Sequence, residues 1–198
     1  MAIPKVPVLF IKPATAVADP YPGKIIIPKV AQDGTSDYEG ELTVVIGKTG
    51  KDIKEEDAYD YVLGYTSSND VSARNAQFAS SQWCYSKGTL LVGNACSRLG
   101  LDSSAPIGPV LVSPKAIPDP HKLEMKSILN GEVVQETNTR EMIFNIPQTI
   151  AYLSAGTTLE AGSLIMVLPI AAIGLIIDWN WSWNWYFPKA SKDFARWR

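Results

Sequence analysis

Tyr38-Glu39-Gly40-Glu41-Leu42-Thr43-Val44-Val45-Ile46-Gly47 decides how this chain is read, because it sets two carboxylates, at i and i+2, at the head of an otherwise apolar run. Successive side chains of a β-strand point to opposite faces, so Glu39 and Glu41 share one. Two like charges held side by side raise each other's pKa, and keeping both ionised near a core costs free energy unless a cation offsets them. A hard divalent metal ion is the natural offset. An isolated pair of this kind is more often a solvated strand face, so the reading depends on what the rest of the chain brings to it.

Outward from that strand the chain reads as short β-type runs separated by turn residues. Val8 to Ile11 precedes Lys12-Pro13, Lys24 to Ile27 ends at Pro28, and Tyr61 to Ser68 looks extended. Two more strands fit Pro106 to Val112 and Leu123 to Leu129, and Asn130-Gly131 ahead of Glu132-Val133-Val134 is a strong hairpin signal. The sequence predicts a helix over Lys54 to Val62, whose first turn carries Glu55, Glu56 and Asp57. A second fits Pro147 to Leu153, with Asn145 as its cap. The fold class that follows is α+β, mainly β, with few short helices.

Composition bounds the function. The 198 residues are 46% hydrophobic and 19% charged with a formal net charge of -2, which fits one globular unit with a real core. Lysines and arginines are dispersed, so nucleic acid is not an expected partner. Cys84 and Cys96 lack a CxxC spacing and have no histidine nearby, which favours reduced thiols in a cytoplasmic protein over a disulfide or zinc site. The first residues carry no signal-peptide pattern. Leu164 to Ile177 is almost wholly apolar and runs into the Trp-rich Asp178 to Phe187. That run is too short to cross a bilayer of about 30 Å as a helix, so a membrane role is not expected, and the alternating tryptophans that follow suit either an edge strand or a poorly folded tail.

A second string, Gly64-Tyr65-Thr66-Ser67-Ser68-Asn69-Asp70-Val71-Ser72-Ala73-Arg74-Asn75-Ala76-Gln77, gives the glutamates their context. With Pro7 to Pro13, Ser86-Lys87-Gly88, Ala105 to Val112, Asn130-Gly131 and Thr137 to Phe144 in the same order, the chain resembles the fumarylacetoacetate hydrolase (FAH) superfamily over roughly Val6 to Met166. The resemblance implies an FAH-type mixed β-sheet roll over residues 1–166, incomplete at its N-terminus, and a divergent apolar and Trp-rich tail over 167–198. It implies Glu39, Glu41 and Asp70 as oxygen ligands of Mg²⁺, Mn²⁺ or Ca²⁺. Three carboxylates without His or Cys suit such a hard cation. Lys87 matches the family's substrate-binding and catalytic lysine. Arg74 and Gln77 match positions near its substrate pocket, Arg74 being the one suited to pair an acid of its own sheet. The implied activity is that of a hydrolase or lyase on a small 1,3-dicarbonyl or oxo-acid, by C–C cleavage, decarboxylation or tautomerisation, with the ion as Lewis acid. A homodimer is implied as well.

Three departures qualify that implication. Hydrolytic members resemble one another in a His and Glu base upstream of the ligands. The one histidine here, His121, sits in a turn before a strand and reads as structural, and the family pattern ahead of Val6 is missing. Hydrolysis is therefore disfavoured relative to decarboxylation or tautomerisation. Thr89 to Gly100 reads as an insertion beside the pocket, and Val167 to Gly174 replaces the family's closing Thr-Gly-Thr-Pro turn. The rival expectation is a catalytically inactive metal-binding or interaction protein on the same scaffold.

Overall fold

The computed structural model of the protein describes residues 3–79 and 101–169, and the backbone of residues 183–185. Lys87, the Thr89 to Gly100 insertion and most of the tail lie outside the described residues.

The opening stretch forms the centre of the molecule. Strand β3 (Gly40–Ile46) lies between β5 (Val62–Asn69) and β11 (Leu164–Val167), antiparallel to both. Alternation divides its side chains as the sequence implies. Leu42, Val44 and Ile46 enter one apolar core with Ile53, Tyr65, Met125, Ile146, Ile150 and Ile165. Each such burial stabilises the fold by about 1.5–3 kcal/mol. Thr43 belongs to the other face, where its hydroxyl donates to Ser68 Oγ at 2.6 Å. Glu41 pairs with Ser68 and Gly40 with Asn69. One step further the Asp70 N–H donates to the Glu39 carbonyl at 2.8 Å, so the ladder continues past the strand ends and sets these two acids side by side.

A hairpin of β8 (Glu124–Leu129) and β9 (Glu132–Asn138) covers the head of β3. Its turn residues Asn130 and Gly131 both have positive φ, 51° and 89°, as the expected Asn-Gly turn requires. Gln135 stitches the hairpin to β3: its Oε1 accepts from the Gly40 N–H and its Nε2 donates to the Gly40 carbonyl, each at 2.9 Å. Tyr38 Oη donates to the Val134 carbonyl at 2.8 Å. On the outer edge of β8 the backbone of β12 (Trp183–Trp185) adds an antiparallel strand. Short ladders complete the plan: β1 (Val17–Ala18) runs parallel to β7 (Ala105–Pro106), β2 (Ser36–Asp37) pairs β6 (Ser72–Ala73), and β4 (Gly50–Lys51) pairs β10 (Thr158–Leu159). Helix α1 (Arg74–Phe78) follows β6 directly.

Helix α2 (Ile146–Ser154) starts where the sequence predicts, with a complete capping box in which Asn145 accepts from the Gln148 N–H and Gln148 accepts from the Asn145 N–H. Its buried Ile146 and Ile150 join the core. The expected helix at Lys54 to Val62 forms instead as a 3-10 helix over Glu55–Tyr61, whose N-cap, Lys54, makes no side-chain cap. Seven residues without a cap hold too few i→i−4 bonds to favour the α form.

Two predicted strands do not form. Val8 to Ile11 and Lys24 to Ile27 pair in no ladder, and Val8, Ile11 and Ile26 are exposed. Prolines at 7, 13 and 28 remove donors at the ends of these runs. The predicted Pro106 to Val112 strand shrinks to β7 and two single bridges, Ile107 to Ser68 and Val112 to Tyr65. Among the described residues no helix is long and apolar enough to cross a membrane. The α+β, mainly β class is the one observed.

Candidate metal centre

Glu39, Glu41 and Asp70 each offer a carboxylate oxygen within 4.8 Å of the others. All three are buried, at 5%, 5% and 7% exposure. Their convergence follows from register. The i, i+2 spacing puts both glutamates on one face, and the pairing of Glu41 with Ser68 brings Asp70, two residues beyond Ser68, to the same face opposite Glu39. The Glu39 N–H is in turn fixed by the Asn69 side-chain oxygen at 2.9 Å.

The surroundings explain how so much negative charge survives burial. Arg74, at the start of α1, donates from Nε to Asp37 Oδ2 at 2.7 Å and from Nη1 to Glu39 Oε1 at 2.6 Å, with Nη2 also against Asp37. The same Nη1 donates to Gln77 Oε1 at 2.8 Å, and the Ser72 hydroxyl donates to Glu39 Oε1 at 3.0 Å. On the far side the Lys12 ammonium lies 2.7 Å from Asp70 Oδ1. Burial pushes the Asp37 carboxyl above the usual carboxylate range, against the pull of Arg74. Burial would lower Arg74 too, but the charges of Glu39 and Asp37 outweigh it and raise its pKa, so the guanidinium stays charged.

The residues fit a hard divalent cation. Three buried carboxylates supply only oxygen donors, which Mg²⁺, Mn²⁺ and Ca²⁺ prefer. Among the described side chains here four carboxylates face two cations, an excess of negative charge that a divalent ion would offset. An open depression of about 580 Å³ lined by Val17, Asp19, Lys24, Ser103, Ile107 and Leu164 includes none of the three acids. Among the described residues, buried charge marks this centre.

Of the residues singled out from sequence, the structure brings together Glu39, Glu41, Asp70, Arg74 and Gln77. Arg74 and Gln77 (3% exposed) bear on the Glu39 carboxylate. Sequence reasoning missed Asp37, Lys12, Ser72 and Gln135. Asp37 had one available signal, since it lies two residues before Glu39 and extends the acidic alternation to three members. Lys12 lies in the family-like Pro7 to Pro13 string, but nothing local to that string points to Asp70, 58 positions away in the chain. His121 is structural, as expected: its Nε2 accepts from the Ile146 N–H at 3.1 Å, satisfying an orphan donor of α2.

Comparison with known proteins finds relatives along most of the chain. The chain is 42% identical to the oxaloacetate tautomerase YisK of Bacillus subtilis, over 82% of its own length and 50% of that protein. It is 38% identical to a caffeoylpyruvate hydrolase of Neonothopanus nambi, over 89% of this chain and 52% of the relative. It therefore spans about half the length of these relatives. Among solved structures it superposes on a 5-carboxymethyl-2-hydroxymuconate delta-isomerase of Mycobacterium smegmatis with a TM-score of 0.70 and 33% identity, over 89% of this chain and 63% of the other. The model of the fumarylacetoacetate (FAA) hydrolase C-terminal domain matches residues 1–167. That match takes in β3, β5 and every carboxylate of the centre, and the chain belongs to the fumarylacetoacetate hydrolase family.

Proposed function

We propose that this chain acts as a divalent-cation-dependent enzyme on a small 1,3-dicarbonyl or oxo-acid, and that tautomerisation or decarboxylation is favoured over hydrolysis. The observation that carries this is the buried triad Glu39, Glu41 and Asp70, with its oxygens within 4.8 Å of one another. Those side chains would hold Mg²⁺, Mn²⁺ or Ca²⁺. The ion, when bound, supplies Lewis-acid polarisation of a carbonyl oxygen. Arg74 and Ser72 keep the Glu39 carboxylate in place, and Gln77 orients Arg74. By resemblance Lys87 binds the substrate carboxylate or the developing enolate, with Arg74 and Gln77 at the pocket edge. Similarity to an oxaloacetate tautomerase supports the choice of tautomerisation. A homodimer follows from the same family resemblance.

The test is an assay of the purified full chain with Mg²⁺ or Mn²⁺ on enol oxaloacetate and on an acylpyruvate. Faster ketonisation of oxaloacetate than acylpyruvate hydrolysis, lost in Glu41→Gln, is the expected result. Ion binding with no turnover of either substrate would make the chain an inactive scaffold instead.

A further inference from the structure

Lys12 has no part in the centre as the sequence presents it, yet its ammonium lies 2.7 Å from Asp70 Oδ1 and 3.2 Å from Ser104 Oγ, to which it donates. Its side chain is 14% exposed, so the pair is largely withdrawn from water. The surrounding backbone holds it there. The Ser103 N–H donates to the Thr15 carbonyl at 2.9 Å and the Ile107 N–H to the Ala18 carbonyl at 3.1 Å, fastening the chain after Lys12 to the 103–107 segment. The Val71 N–H donates to the Ser104 carbonyl at 2.9 Å, which ties that segment to the residue next to Asp70. Three chain segments thus converge on one lysine–carboxylate contact.

A monovalent cation fixed on one carboxylate of a divalent site acts in two opposed ways. It orients the carboxylate, which helps an incoming ion, and it repels that ion through space. Orientation acts on one ligand only: the N–H bond to the Glu39 carbonyl places the Asp70 backbone, and Lys12 turns the carboxylate of that residue alone, whereas its charge acts on the ion itself. Repulsion by a doubly charged ion is twice the strength of a unit-charge interaction at the same distance, and low exposure leaves it poorly screened. Repulsion therefore wins. Resting on the metal reading above, we propose that Lys12 is a built-in counter-cation of the centre: it stabilises the carboxylates when no divalent ion is bound and sets ion affinity below what the triad alone would give.

The experiment compares wild type, Lys12→Met, which keeps length and removes charge, and Lys12→Arg, which keeps charge, in the full chain. Mn²⁺ is the probe, read by titration calorimetry and by thermal unfolding with and without the ion. Lys12→Met is expected to unfold at lower temperature without Mn²⁺, to bind Mn²⁺ about tenfold more tightly, and to gain more from saturating Mn²⁺ than wild type does. Lys12→Arg should stay near wild type in all three. Equal or weaker Mn²⁺ binding by Lys12→Met overturns the proposal, as does a Lys12→Met chain that fails to fold even in saturating Mn²⁺, or an arginine variant that behaves like methionine. A wild type that neither binds Mn²⁺ nor responds to it removes the metal reading itself. A wild type that binds while Lys12→Met binds no better removes only the role of Lys12.

Discussion

On one face of β3, Leu42, Val44 and Ile46 disappear into an apolar core with Tyr65, Ile146 and Ile150; along the other, Glu39, Glu41 and Thr43 meet Ser68 and Asp70. Both sets are buried, so burial does not tell them apart. What differs is the sign of its free energy. Withdrawing Ile46 from water stabilises the fold directly. Withdrawing Glu39 costs free energy until Arg74, Ser72 and, by this account, a metal ion meet its oxygens. One strand and its lead-in residue thus support the fold with the even-numbered residues and present the candidate metal centre on the odd-numbered ones.

Substitutions that break the two faces should separate stability from ion binding. The largest effect is expected from Arg74→Met, which leaves Asp37 and Glu39 buried without their shared guanidinium and should cost about 3–5 kcal/mol in chemical unfolding. Saturating Mn²⁺ should recover part of that loss, because the ion offsets the same charge. On the apolar face, Ile46→Ala should cost about 2–4 kcal/mol by leaving a cavity. Mn²⁺ affinity of the folded Ile46→Ala chain should match wild type, and a large change there would show that the faces are coupled. Gln135→Met tests the seam between hairpin and strand. It strips both Gly40 hydrogen bonds, should cost about 2 kcal/mol, and should weaken Mn²⁺ binding, since Gly40 separates the two glutamates.

The smallest effect belongs to His121, at the start of α2. Burial holds its imidazole below the ordinary histidine range, against the pull of Asp119, and the neutral ring accepts from the Ile146 N–H. The unfolded chain therefore takes up a proton first as pH falls. Stability is full above about pH 6.5, the ordinary histidine pKa, and declines as pH drops from there toward the lowered folded-state value. Thermal unfolding between pH 7.5 and 5.5 should show the decline, with a shallower slope in His121→Gln.

The same comparison shows which features could be read from sequence. Strand alternation made the shared face of Glu39 and Glu41 legible, because a period of two is a local property. Capping of α2 by Asn145 and the Asn130-Gly131 turn were legible for the same reason, each resting on a few adjacent residues. Asp70 was placed by family resemblance and proved to lie in register with Glu39. Contacts that close the centre were not legible, since Lys12 to Asp70 and Gln135 to Gly40 join residues distant in the chain, and no local pattern pairs them. The failed strands at Val8 to Ile11 and Lys24 to Ile27 make the complementary point. An apolar run states a preference for extended backbone, but a strand also needs a partner edge, which local sequence does not specify.

The central claim is that the odd-numbered face of β3, with Asp70, holds a divalent cation. Calorimetric titration of Mn²⁺ into wild type and Glu41→Gln tests it most directly, with circular dichroism to establish that both are folded. One ion per wild-type chain and none bound by a folded Glu41→Gln is the expected result. Equal binding by the two proteins, or no binding by the wild type, would contradict it.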